Sequence, residues 1–294
     1  MTRRPSGEEG WLRIDRDGKD WPLRDRSRFV EAGGLRWHVQ ILGQGPTLLL
    51  LHGTGASTHS WRDLAPLLAQ RYRVVMPDLP GHGFTDPLKP RDLSLPDMAR
   101  ALGQLIRACE PSPEVVVGHS AGAAILAKLC IDGVIAPRLL VSLNGAWLPF
   151  EGLAGQLFPP IARLLFLNPF VPRLFAWSAD RSATSRLIRG TGSTIDPRGL
   201  DLYARLFANP GHVAGALGMM ANWDLEAFRR EWPKLTTRVA LVVADGDKAV
   251  LPSAATTVAA ALPNATIHSL KGLGHLAHEE RPVLVAELIE KLAK

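Results

Sequence analysis

Short, nearly continuous apolar runs recur along this chain, each followed by enough residues for one helix. The runs are Thr47 to Leu51, Tyr72 to Met76, Glu114 to Val117, Leu139 to Leu143 and Val239 to Val243. A strand with one wet face alternates apolar and polar residues. Strands that are apolar throughout are buried on both faces, as in a parallel sheet covered by helices. The segments between them read as helices. They are Ser60 to Gln70, a helix opened by Ser94-Leu95-Pro96-Asp97, Ala121 to Ile131 closed by Gly133, and Ser253 to Leu262. The Ser94 opening has a capping hydroxyl, a proline in the first turn and an acidic residue three positions on. Ala265 to Leu270 predicts a last strand and Val283 to Leu292 a last helix. Ahead of this series, Arg28 to Glu31 and Leu35 to Leu42 flank Gly33-Gly34 as a hairpin. The fold class expected is α/β, a mostly parallel central sheet flanked by helices.

The rhythm breaks once. Residues 147–233 are helical in pattern and rich in leucine, phenylalanine, proline and glycine, and predict a helical lid inserted into the core. The core is then residues 28–146 and 234–294, and residues 1–27 form a polar N-terminal extension with Trp11 and Trp21 as anchors. The 294 residues suit one large domain with such an insertion. The apolar stretch from Leu148 to Trp177 is cut by Pro159, Pro160, Pro169 and Pro172, so no transmembrane segment is expected. No apolar leader follows the first residues, and Cys109 and Cys130 match no metal spacing or disulfide framework, which points to the cytoplasm. The net charge of +6 comes from arginines scattered along the chain, with no zinc-finger or RNA-binding signature, and predicts no nucleic-acid partner. Proline-broken apolar segments beside a basic surface allow peripheral association with a membrane.

Chemistry concentrates at Gly118-His119-Ser120-Ala121-Gly122, a G-x-S-x-G run directly after an apolar strand and directly before a helix. A serine on so sharp a turn needs small flanking residues, and the helix that follows aims its first amides at a developing oxyanion. A serine hydroxyl also needs a base. His275, in Gly272-Leu273-Gly274-His275 after the last strand, is the candidate, with His278 as its rival in a packing role. The base needs a carboxylate to fix its tautomer. Asp247 is preferred over Asp245, which is expected to face solvent or cap the loop; the alternative acid position carries Asn144, which has no charge to offer. The oxyanion donors expected are the amides of Ala121 and of Thr54, in His52-Gly53-Thr54-Gly55. The histidines and glutamates at 275–280 lack the helical H-E-x-x-H spacing of a zinc site, and no dinucleotide fingerprint or Walker loop is present, so no metal and no cofactor are expected.

With Pro77-Asp78-Leu79-Pro80-Gly81-His82-Gly83 added, these motifs resemble the α/β-hydrolase superfamily over nearly all of the chain beyond residue 27. Within it, Arg28 to Gln40, His52 to Trp61, Leu157-Phe158-Pro159-Pro160, Pro210 to Met220 and Leu273 to Glu280 resemble the magnesium-chelatase accessory subfamily of bacteriochlorophyll biosynthesis, BchO. That resemblance implies a role near magnesium insertion into protoporphyrin in phototrophic bacteria. It leaves the reaction open. Ala244 departs from the glycine many relatives carry, and the nearby Asp245 competes with Asp247.

Two functions are therefore expected from this sequence. One is a serine hydrolase acting by acyl transfer to water on an apolar small molecule. Its pocket would be lined by some of Trp147, Leu148, Phe158, Trp177, Met219, Met220 and Trp223, most of which should form the lid's own core. The other is a non-catalytic protein on the same scaffold, binding porphyrin or assisting magnesium chelatase.

Overall fold

A computed structural model describes residues 10–109, 112–149, 168 and 170–294. The sheet begins with a hairpin, β1 (Ser27–Ala32) and β2 (Leu35–Leu42). It continues with β3 (Thr47–Leu51), β4 (Arg73–Pro77), β5 (Val115–His119), β6 (Leu139–Leu143), β7 (Val239–Ala244) and β8 (Ala265–Leu270). Its order is β1-β2-β4-β3-β5-β6-β7-β8. β2 is antiparallel to both β1 and β4, and every pairing from β4 through β8 is parallel. The parallel strands therefore end at one edge, and the loops that follow β3, β5, β7 and β8 gather there.

The apolar strands are sandwiched as their composition predicts. Leu49, Leu51 and Val116 pack in one core with α2 (Leu95–Ala108), α3 (Ala121–Ile131) and α9 (Ser253–Ala261). Leu48, Leu50, Val115 and Val117 pack in the other with α1 (Ala65–Leu68) and α10 (Pro282–Leu292). Neighbours along a strand point to opposite faces, so one strand feeds both cores. Each fully buried Leu or Val contributes roughly 1.5–3 kcal/mol of apolar transfer. Leu50→Ala would lose about 2–5 kcal/mol once the cavity is included.

The long helix predicted from Ser60 to Gln70 is not formed. A 3-10 turn covers Thr58–Trp61 and only Ala65–Leu68 is α-helical. Pro66 explains the break: it has no amide to donate and its ring excludes a regular turn before it, so it sits at the start of α1. The Ser94 cap is present, its hydroxyl accepting from the Asp97 amide at 3.3 Å.

Between β6 and β7 the chain leaves the sheet. The described part of this insertion holds α4 (Val171–Ser178), α5 (Arg181–Gly190), α6 (Pro197–Phe207), α7 (Pro210–Asn222) and α8 (Leu225–Glu231). Asp180, Asp196, Asn209 and Asp224 cap the last four of these through side-chain oxygens. The insertion is tied to the core by buried polar contacts. Arg62 pairs with both Asp196 and Glu279, and the Tyr203 hydroxyl donates to Glu279 at 2.8 Å. The N-terminal segment is tied down as well: Trp21 is buried against Phe84 and His59, and Arg205 pairs with Asp20. Among the described residues no helix is long and apolar enough to cross a membrane.

Candidate active site

Ser120 occupies the turn between β5 and α3 with φ 51° and ψ −120°, a conformation a side chain adopts only under strain, about 1–3 kcal/mol. Its surroundings hold it there. Its amide donates to the Leu143 carbonyl at 3.0 Å, and its carbonyl accepts from Ala146 at 3.0 Å and Ala123 at 3.1 Å. Gly122 is required by the same turn, because a Cβ on it would strike the Leu51 carbonyl at the end of β3. The result is a serine projected from the sheet edge at the first turn of α3.

The acid and base face each other across the next two loops. His275 Nδ1 donates to Asp247 Oδ2 at 2.7 Å. Asp247 is buried, which by itself raises a carboxyl pKa. The bonds from His275 and Asn144, with backbone amides, outweigh burial and hold it below the usual carboxylate range. Two of these amides, Ala249 and Val250, donate to Oδ1 at 2.8 and 2.9 Å. Asp245 is exposed and accepts from the Gly272 amide instead. His278 is buried, bonded to Ser60 at 3.0 Å and packed on Trp61.

Asn144 is the residue the sequence reading undervalued. Set aside there for its missing charge, it donates from Nδ2 to Asp247 Oδ2 at 2.6 Å. Its φ of 47° lies in the left-handed region, which asparagine tolerates better than most side chains. The signal available was its place directly after β6, at the sheet edge where the acid was sought.

His119 links the serine to the dyad. Its Nε2 donates to the His275 carbonyl at 2.9 Å, and its ring centroid lies 4.6 Å from that of His275. Burial, with the nearby His275, pushes His119 down to about 3, so it stays neutral. Among the described residues the Ser120 hydroxyl makes no hydrogen bond. Serine and dyad share the edge without a direct bond between them.

The loop after β3 runs against the serine: a Cβ on Gly53 would lie 2.8 Å from Ser120 Cβ. Neither the Thr54 nor the Ala121 amide donates to a described residue, which leaves both free for a ligand oxygen. Two neutral histidines fix this loop. His52 donates from Nδ1 to the Gly53 carbonyl at 2.8 Å and accepts from the Leu79 amide at 2.9 Å. His212, on α7, donates to the Gly55 carbonyl at 3.0 Å and accepts from the Gly83 amide at 3.2 Å. Burial pushes His212 down to about 4, in keeping with that accepting nitrogen.

The insertion also touches the dyad directly. The Thr191 carbonyl accepts from Lys248 at 3.1 Å and from His275 at 3.4 Å, and Ser193 Oγ accepts from Leu276 at 2.8 Å. Gly192 lies between these contacts at φ 87°, and a Cβ there would overlap the Gly246 carbonyl. Thus one short segment after α5 braces both the acid loop and the base loop.

The candidate pocket residues separate. Met219 is buried with its sulfur 3.5 Å from the Thr54 hydroxyl, which puts it beside the candidate oxyanion loop. Met220, Leu148 and Trp223 are half-buried. Trp147 instead donates to Ser142 and packs with Phe228 and Trp232 in the core, because its indole fills the space under α8. Trp177 is 85% exposed, since α4 turns the opposite face, Pro172 and Ala176, inward. Phe158 lies outside the described residues. Among the described residues no group of three or more histidine, cysteine, aspartate or glutamate side chains is arranged to hold a metal.

Comparison with known proteins agrees with this geometry at the level of family. The profile of the Alpha/beta hydrolase family matches residues 48–288. The chain belongs to that family. It is 41% identical over 263 residues to the Magnesium-chelatase 30 kDa subunit of Rhodobacter capsulatus, covering 88% of this chain and 92% of that protein. It is 24% identical over 259 residues to the Uncharacterized hydrolase YugF of Bacillus subtilis, covering 87% and 93%. Among solved structures, an alpha/beta hydrolase fold protein from Burkholderia ambifaria superposes with a TM-score of 0.78 at 23% identity, over 91% of this chain and 98% of that one. The epoxide hydrolase CorEH superposes with a TM-score of 0.76 at 21% identity, over 90% and 97%. At those identities the structures speak for the fold alone.

Proposed function

We propose that this α/β-hydrolase is a serine-nucleophile enzyme that transfers an acyl group from an ester- or thioester-type substrate to water. The observation that carries the reading is the Asp247–His275 hydrogen bond at the sheet edge where Ser120 sits on its strained turn. With Nδ1 committed to Asp247, the Nε2 of His275 is the nitrogen left to act as base. It takes the Ser120 proton as Oγ bonds to the substrate carbonyl carbon. The amides of Thr54 and Ala121 hold the oxyanion. Collapse breaks the bond to the leaving group, which departs with the proton from His275. Water then attacks the acyl-serine, giving its proton to His275, and the acid is released as Ser120 is restored. Asp247 stays ionised throughout and stabilises the imidazolium; no metal or cofactor is needed.

In this reading the insertion, residues 147–233, is a lid, and Met219 with Met220, Leu148 and Trp223 supplies apolar wall. The protein works in the cytoplasm, where its free, half-buried Cys109 and Cys130 stay reduced. Turnover of p-nitrophenyl esters of rising chain length tests the proposal, with the Ser120→Ala variant as control. Hydrolysis lost in the variant supports it, and the preferred chain length sizes the pocket. No turnover by folded wild type across the series counts against it.

The likeness to the Magnesium-chelatase 30 kDa subunit favours a second reading, in which the chain assists a chelatase or holds a porphyrin without turnover. Titration with protoporphyrin separates the two. Saturable binding by a protein inert to every ester supports the second.

A further inference from the structure

The outer face of α4 is built the wrong way round for a soluble surface. Phe170, Leu174 and Trp177 are spaced four and three residues apart, which sets them on one side of the helix. They are 69%, 63% and 85% exposed. The face opposite carries the buried Pro172 and Ala176. An isolated exposed leucine means little, but three large apolar side chains aligned on one short helix mark an interaction surface.

The charge around this face is one-sided. Residues 171–190 carry Arg173, Arg181, Arg186 and Arg189 against the single acid Asp180, and of these arginines Arg181 is paired with Asp201 on α6. Asp180 is engaged, accepting from the Ala183 amide as the cap of α5. Arg173 is exposed on α4 itself, and among the described residues it forms no ion pair. Exposed Phe, Leu and Trp flanked by arginine are what an interfacial helix presents to acyl chains and anionic headgroups.

We propose that this face of α4 docks the protein on an anionic lipid surface, with Phe170, Leu174 and Trp177 entering the headgroup–acyl boundary and Arg173 pairing with lipid phosphate. α4 packs against α7, and α7 carries Met219 at the Thr54 loop. Docking therefore puts the bilayer against the layer that covers the candidate oxyanion loop, so an apolar substrate could pass from lipid to site. The surface itself does not depend on Ser120 being a nucleophile.

The test is flotation of the full-length protein with vesicles of phosphatidylcholine alone and of phosphatidylcholine with phosphatidylglycerol. Wild type is expected to float with the anionic vesicles, less so as salt rises. Leu174→Ser with Trp177→Ser should weaken binding about tenfold or more, with thermal melting unchanged because both side chains are exposed in the free protein. Arg173→Glu should weaken binding to anionic vesicles only. Brominated lipid should quench Trp177 in the bound protein, and Trp177→Phe should lose that quenching yet still bind. Wild type that stays with the soluble fraction, binding unaltered in the double variant, or equal binding to both vesicle types would each overturn the proposal. So would a dimer in free solution that the double variant breaks, which would assign the face to a second copy of this chain.

Discussion

Acidification should unfold this protein unusually early, because six of its histidines are buried where burial disfavours their charged form. Burial lowers the pKa of His52, His59, His82, His119, His212 and His278, with His119 near 3 and His212 near 4. In the unfolded chain each returns to about 6.5. Their contribution is intact above pH 6.5 and is lost as pH falls towards their folded values, because only the unfolded state takes up the protons. At pH 5.5 His119 and His212 alone cost about 3 kcal/mol together, and His52, His59, His82 and His278 are shifted in the same direction and add to the loss. Glu279 works in the opposite direction. Burial raises it to about 7 against the pull of Arg62, so its protonation favours the folded state as pH falls. That returns about 2 kcal/mol, so the direction of the net change is set by the remaining buried histidines, all of which favour loss. Domains have only about 5–15 kcal/mol in hand. Urea unfolding followed by circular dichroism at pH 7.5, 6.5, 6.0 and 5.5, converted to free energies at zero urea, measures the loss directly. A slope of several protons between about pH 6 and 5.5 is expected. A slope near one proton would refute the reasoning, since the rings would then titrate in the fold.

Substitutions at three positions probe the site. Asn144→Ala removes a bond to an ionised Asp247 and leaves alanine at positive φ, so unfolding should become easier by about 2–4 kcal/mol. Asn144→Gly, which relieves only the backbone strain, should recover part of this, as urea melts of the pair would show. Gly192→Ala should displace the acid loop and slow serine-probe labelling about tenfold or more, the scale at which small misplacements act. Labelling at the wild-type rate would mean that the brace does not position the dyad. His119→Ala should slow labelling and shift its pH profile, because it removes the ring that packs on His275 and bonds its carbonyl; an unmoved profile would reduce His119 to packing.

The sheet was legible in the sequence because a doubly buried strand has no room for polar residues, and Leu48 to Leu51 or Val115 to Val117 show it. The strand–serine–helix turn was legible for a similar reason: Gly122 leaves no space for any other residue beside the Leu51 carbonyl. What stayed hidden depends on contacts far apart in the chain. The brace of Thr191 and Ser193 on the dyad joins segments more than 50 residues apart through a backbone carbonyl and one serine hydroxyl, neither of which has a distinctive residue signature. Trp147 and Trp177 look alike in sequence, and only packing sends one under α8 and the other to solvent. Asn144 was discounted because charge was the criterion, although its role is to donate a hydrogen bond. The helix expected from Ser60 is broken at Pro66, whose missing amide an apolar pattern does not register.

The central claim is that Ser120 is a nucleophile activated by His275 and Asp247. Incubation with a fluorophosphonate probe, followed by mass spectrometry of the labelled peptide, tests it most directly. The account predicts a single adduct on Ser120, absent in Ser120→Ala and slowed at least a hundredfold in His275→Ala, as expected for loss of a general base. No adduct in folded wild type, or an adduct that forms equally fast without His275, would contradict it.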